Sequence, residues 1–115
     1  MATSTPLVRE TEREFQGAVI DLAHTLGWLV AHFRPALTKR GWRTPVQADG
    51  AGFLDLLLAR ERLVFAELKT HRGKLSPKQG DWIAALESAG AEVYVWRSAD
   101  WDSIVETLRR RTETR

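Results

Sequence analysis

The sequence contains no cysteine, and that absence excludes disulfide staples, thiolate metal sites and a cysteine nucleophile together. It fits a reducing or redox-indifferent compartment. No stretch approaches the ~20 apolar residues of a membrane-spanning helix, and residues 1–10 lack the apolar centre of a secretory leader. A soluble, cytoplasmic protein with no membrane partner is the expectation. Net charge is nearly absent too. The 17 Lys and Arg against 15 Asp and Glu leave a formal +2, which by itself names no partner. His24, His32 and His71 lack the spacing of zinc ligands. There is no internal repeat and no low-complexity segment, so a chain of 115 residues should form one packed core rather than an array.

What is present reads as alternating helices and strands. Residues 1–10 mix Thr, Ser and Pro without periodicity and are expected to be a flexible tail, leaving residues 11–115 as a single domain. Thr11 and Glu14 form a T-x-x-E capping box, after which Phe15, Ala18, Val19, Leu22 and Leu26 recur at helical spacing until Gly27. Trp28 to Phe33 suits a strand bounded by Pro35, and Pro35 to Gly52 reads as a long loop with basic residues around Trp42. Two apolar runs, Phe53 to Ala59 and Leu63 to Lys69, suit an antiparallel hairpin, although Arg60, Glu61 and Arg62 include no Gly or Asn to define its turn.

Ser76, Pro77 and Gln79 mark a second helix start, with Trp82, Ile83, Leu86 and Ala89 as its apolar face and Gly90 as its stop. Glu92 to Arg97 alternates as a strand does. Ser98 or Asp100 is the expected cap of a last helix carrying Trp101, Ile104, Val105 and Leu108. The order is α-β-β-β-α-β-α, an α/β layer structure.

The informative residue is Asp55, which sits in Phe53-Leu54-Asp55-Leu56-Leu57-Leu58. Burying an unpaired carboxylate among such neighbours costs several kcal/mol or forces its protonation, so something must compensate it. In the second run, strand alternation points Glu67 and Lys69 to the same side. A hairpin centred near Glu61 sets Asp55 across from Glu67, within the ~5 Å of directly opposed side chains. Two carboxylates so placed repel each other, and a hard divalent cation such as Mg²⁺ relieves that while leaving positions for water and phosphate. Such a metal polarises a phosphoryl oxygen, and Lys69 orients water or stabilises the developing charge, which is the chemistry of phosphodiester hydrolysis. A plainer reading stays open at this stage, with Glu67 and Lys69 on an exposed edge and Asp55 paired to an arginine such as Arg34.

Gly52-Phe53-Leu54-Asp55, then Glu67-Leu68-Lys69-Thr70, then Leu75-Ser76-Pro77-Lys78-Gln79 with Trp82 three residues on, together resemble the virus-type replication-repair nuclease group, VRR-NUC, of the PD-(D/E)XK superfamily. The similarity extends through Glu14-Phe15-Gln16 and Gly90-Ala91-Glu92-Val93-Tyr94-Val95, about residues 11–108. It implies a restriction-endonuclease-like core, a mixed sheet flanked by helices. It also implies Mg²⁺ or Mn²⁺ held by Asp55, Glu67 and the Leu68 carbonyl, with Lys69 beside the attacking water and Gln79 in support. An acid of the first helix often completes such sites, and Glu14, beside Phe15 and Gln16, is chosen over Glu12. Leu54 stands where a proline often precedes the first acid. Stand-alone members are similar to Holliday-junction resolvases, acting on branched DNA as dimers in repair or recombination, so DNA, a homodimer and an endonuclease activity are the implied partners and function.

Basic residues at Arg34, Lys39, Arg40 and Arg43, and at Lys74 and Lys78, would meet phosphates, with Trp42 placed either to stack on an unpaired base or to anchor its loop. Glu14 and Gln79 also sit where capping boxes want them, and each can serve in both ways. A non-catalytic nucleic-acid-binding module using the basic loop 35–52 is the competing function. A structural subunit is disfavoured, because Asp55, Glu67 and Lys69 are all retained.

Overall fold

A computed structural model describes residues 11–33, 36–38, 41–43 and 48–112. The expected tail at residues 1–10 lies outside them. Helix α1 spans Glu12–Thr25 and is opened by the Thr11–Glu14 box, in which the Thr11 hydroxyl accepts from the Glu14 N–H and the Glu14 carboxylate accepts from the Thr11 N–H. It ends where Gly27 takes φ +90°, a conformation that only glycine adopts cheaply. The Trp28 N–H then reaches back to the Ala23 carbonyl and satisfies an otherwise orphaned acceptor.

Strand β1 covers Leu29–His32, β2 Ala36–Thr38, β3 Gly41–Arg43, β4 Leu56–Ala59 and β5 Leu63–Lys69. Helix α2 follows over Pro77–Ser88, then β6 over Glu92–Arg97, a 3-10 turn at Ser98–Asp100 and α3 over Trp101–Arg109. The main sheet runs β1-β4-β5-β6, antiparallel except for the β5-β6 pair, which is parallel because α2 carries the chain back across. Mixed sheet and flanking helices give the α/β layering expected of a restriction-endonuclease-like core.

Alternation decides which face is buried. Leu56, Leu58, Val64, Ala66, Leu68 and Trp96 point to one side, where Phe15, Val19 and Ala23 of α1 and Ile104 and Leu108 of α3 close the core. The opposite face carries Phe65, which meets Phe53 edge to face, and Phe53 in turn meets Trp82 of α2. Among the described residues no helix is long and apolar enough to cross a membrane.

Four expectations need correction. The stretch 35–52 is not wholly irregular, since β2 and β3 pair with Leu37 opposite Trp42; strands of three residues are too short for alternation to announce them. The second strand begins at Leu56 rather than Phe53, because Gly52 turns with φ +85° and the Phe53 N–H closes onto the Gly50 carbonyl. Asp100, one of the two expected caps, stands at the N-cap of α3 but makes no side-chain capping bond there: its carboxylate accepts from the Arg97 N–H and so shapes the preceding 3-10 turn. Helix α2 buries no residue completely, with Trp82, Ile83 and Leu86 half-buried and Ala89 exposed.

The turn between β4 and β5 is held by its side chains instead of by turn-forming residues. Arg60 donates to the carbonyls of Leu26, Leu108 and Arg110, and Arg62 to those of Thr107 and Arg110. Both guanidinium groups lie over the Trp28 ring, at 4.4 and 5.0 Å from its centre. The C-terminal ends of α1 and α3, where helix dipoles concentrate negative potential, are thus neutralised by one pair of cations.

Candidate active site

The β4-β5 register pairs Leu56 with Ala66, and one step beyond that ladder Asp55 meets the segment Glu67-Leu68. Asp55 is fastened at both its backbone and its side chain. Its carbonyl accepts from the Phe33 N–H at 2.9 Å, and its Oδ2 accepts from the Leu68 N–H at 2.9 Å. Burial pushes the Asp55 carboxyl above the usual carboxylate range, against the pull of the Leu68 N–H, and the charge of Glu12 adds to the rise while His32 and Lys69 oppose it.

Glu67 is 1% exposed, the only charged residue in the core among those described. Its Oε2 accepts from Gln79 Nε2 at 2.6 Å and faces Lys69 Nζ at 3.2 Å. Its Oε1 is buried with no hydrogen-bond partner among the described residues. Burial first, and then the negative charge of Asp55, push the Glu67 carboxyl up to about 7, with Lys69 countering. An orphaned buried carboxylate oxygen beside a second acid is an electrostatic conflict that a cation resolves.

Gln79 serves two structures at once. Its Oε1 accepts from the Ser76 N–H at 2.9 Å, completing the capping box of α2, while its Nε2 reaches Glu67. The helix start and the buried acid are therefore tied by a single side chain. Gly52 brings them together: a Cβ there would stand 2.6 Å from Lys78 Cβ and 3.2 Å from the Gln79 nitrogen, so only glycine lets the chain ahead of Asp55 touch the first turn of α2. The Gly52-to-Asp55 spacing in the sequence carried that signal, though the contact with Lys78 could not be read from it.

The structure gathers Asp55, Glu67, the Leu68 main chain, Lys69 and Gln79. Glu14 is engaged elsewhere, since its Oε1 accepts from the Thr11 N–H and hydroxyl, which hold its carboxyl below the usual range. The acid of α1 whose charge acts on Asp55 is Glu12. His32, at the end of β1, is a neighbour of Asp55 that spacing did not single out. Lys74 and Lys78 are exposed, in the loop after β5 and the first turn of α2. Arg34, Lys39 and Arg40 lie outside the described residues, as do the side chains of Trp42 and Arg43.

As a metal centre the donors fit a small hard cation. Among the described residues no three His, Asp or Glu side chains form a cage by themselves, but Mg²⁺ is ordinarily held by one or two carboxylates and keeps several waters. Two acids, one with an oxygen that has no hydrogen-bond partner among the described residues, beside the Leu68 main chain are donors of the kind such a partial shell uses. Among known proteins, a family model for the VRR-NUC domain matches residues 31–100. No curated protein and no solved structure matches.

Proposed function

Because the chain belongs to the VRR-NUC domain family, whose domain is a nuclease of the PD-(D/E)XK type, we propose that it is a Mg²⁺- or Mn²⁺-dependent DNA endonuclease centred on Asp55, Glu67 and Lys69. The observation that carries this reading is the buried Glu67, pushed up to about 7 by burial and by Asp55 and left with an oxygen that has no partner among the described residues. Asp55, Glu67 and the Leu68 carbonyl would hold the cation. When bound there, such a cation would supply Lewis-acid polarisation of a phosphoryl oxygen and offset negative charge.

The protein's own groups do the rest. Lys69, 3.2 Å from Glu67, sits where it orients the attacking water or faces the phosphoryl oxygens as charge builds. Gln79 holds Glu67 in place through its 2.6 Å hydrogen bond. Water oxygen bonds to phosphorus, one ester P–O bond breaks, and the departing oxygen takes a proton, leaving a phosphomonoester and a hydroxyl. Glu12 is the acid of α1 best placed to complete the shell, because it is the one whose charge reaches Asp55. Glu14, the acid expected from the sequence, serves as the helix cap.

The substrate in this proposal is branched DNA such as a four-way junction, met in replication, recombination or repair in the cytoplasm, with Lys74, Lys78 and the basic segment 34–43 against phosphates. One domain over residues 11–115 acts as a homodimer, so that two centres serve two strands. The row Leu29, Ala59 and Leu63 supports this, for Leu29 is 77% and Leu63 49% exposed on the sheet face that α2 covers only in part.

The test is nicking of branched, flapped, linear and single-stranded DNA with Mn²⁺, with a chelator control. Asp55→Asn, Glu67→Gln and Lys69→Ala should each abolish cleavage in a folded protein. Salt-sensitive binding without metal-dependent nicking would replace the proposal with a binding module.

A further inference from the structure

Beside the carboxylate centre lies a second feature, a cavity of about 420 Å³ between residues 48–51 and α2, lined by Ala48, Asp49, Ala51, Lys78, Asp81, Trp82 and Ala85. We propose that it is a pocket for an unpaired nucleobase, stacked on Trp82 while Lys78 meets the flanking phosphate. The identity of the ligand rests on the DNA-cleaving function proposed above.

The wall is built for something flat. Trp82 is set in one orientation, with its indole N–H on the Asp49 carbonyl at 2.9 Å and Phe53 edge-on at 5.0 Å between ring centres. Aromatic faces of this kind accept any base, whatever its sequence. Small side chains at Ala48, Ala51 and Ala85 leave the space, which falls within the ~300–1,000 Å³ of ordinary ligand sites. The rim chemistry selects the orientation. Asp49 and Asp81 accept hydrogen bonds and repel phosphate, so they favour a group that presents N–H donors, as the amino edges of bases do. Lys78 supplies the one positive charge of the lining among the described residues, and it neighbours Gln79, which touches Glu67. A strand with its scissile phosphate at Glu67 therefore passes Lys78 with the next base beside Trp82.

A paired base cannot enter such a pocket while it stays in its stack. The centre thus favours DNA with an unpaired nucleotide next to the cut, which gives branched DNA an advantage over plain duplex without any reading of sequence.

The experiment walks a single abasic nucleotide along a fluorescent single-stranded DNA of about 12 nucleotides and measures affinity by anisotropy for the full chain in EDTA. The expected profile has one position where loss of the base weakens binding roughly 5- to 100-fold. Trp82→Ala should flatten it and Trp82→Phe should retain it. Ala85→Leu, at an exposed helix position, should also flatten it by filling the cavity, which covers the event that Trp82→Ala does not fold. A flat profile for the unaltered protein, or an unchanged profile in Ala85→Leu, overturns the pocket. Cleavage with Mn²⁺ is scored separately: cutting with a flat profile removes the pocket and leaves the nuclease, and a peaked profile without cutting does the reverse.

Discussion

Replacing Glu67 by glutamine should stabilise the metal-free protein at alkaline pH while ending its activity. The carboxyl is pushed from an ordinary 4.5 to about 7 by burial and by Asp55, so the fold binds this proton more tightly than the unfolded chain does. The sign follows from that inequality: the contribution to stability is intact below about pH 4.5 and is lost as pH rises through about 7. Once both states are ionised, the loss amounts to roughly 3 kcal/mol. Glutamine keeps the shape and the hydrogen bond with Gln79 but cannot ionise, so it escapes the loss. In a domain of this size the difference is on the order of 10 °C in melting temperature. Thermal melts followed by circular dichroism in EDTA, from about pH 4 to about pH 9, should show the two proteins nearly equal at the acid end and glutamine ahead at the alkaline end. Added Mg²⁺ should then raise the melting temperature of the parent and leave the variant unmoved. A variant less stable than the parent at pH 9, or a gap that does not vary with pH, would refute the reasoning.

Other perturbations have equally definite outcomes. Gly52→Ala forces a Cβ to within 2.6 Å of Lys78 at a positive φ and should cost about 2–4 kcal/mol in urea unfolding, with cleavage reduced further because Asp55 and Gln79 are pried apart. Gln79→Ala should lower cleavage about 10- to 100-fold, as losses of groups that support metal ligands do, whereas Ser76→Ala should lose about 1 kcal/mol of capping with little change in rate; equal rate losses in the two would remove the special role of Gln79. Glu61, held near 2 chiefly by Arg60, has a folded pKa below the unfolded one, so its stabilisation is present above about pH 4.5 and disappears as pH falls toward 2. Acid titration of Glu61→Gln should accordingly show a shallower loss of stability over that window than the parent.

Much of this was legible in residue patterns because the strongest signals were local. Both capping boxes and the glycines that end α1 and α2 lie where Thr11, Ser76, Gly27 and Gly90 announce them. The relation of Asp55 to Glu67 follows from counting outward from Glu61, which the Leu56–Ala66 pair reproduces. What escaped depended on tertiary contacts. Helical periodicity does not show that the capping box engages the Glu14 carboxylate, nor that Glu12 is the acid of α1 whose charge acts on Asp55. The pocket beside Trp82 needs residues 48–51 folded against a helix some thirty positions later. The hairpin turn looked poorly specified because its determinants, Arg60 and Arg62, act on carbonyls of α1, α3 and Arg110 rather than on their own backbone.

That arginine pair also sets a geography for engineering. Asp55 lies four strand positions from Ala59, roughly 13 Å at the usual rise, while Arg110 is gripped at the turn just beyond Ala59. On the function proposed above, a fluorophore or fused module attached at Thr112, whose N–H is held by Glu61 at that turn, should leave DNA cleavage unchanged.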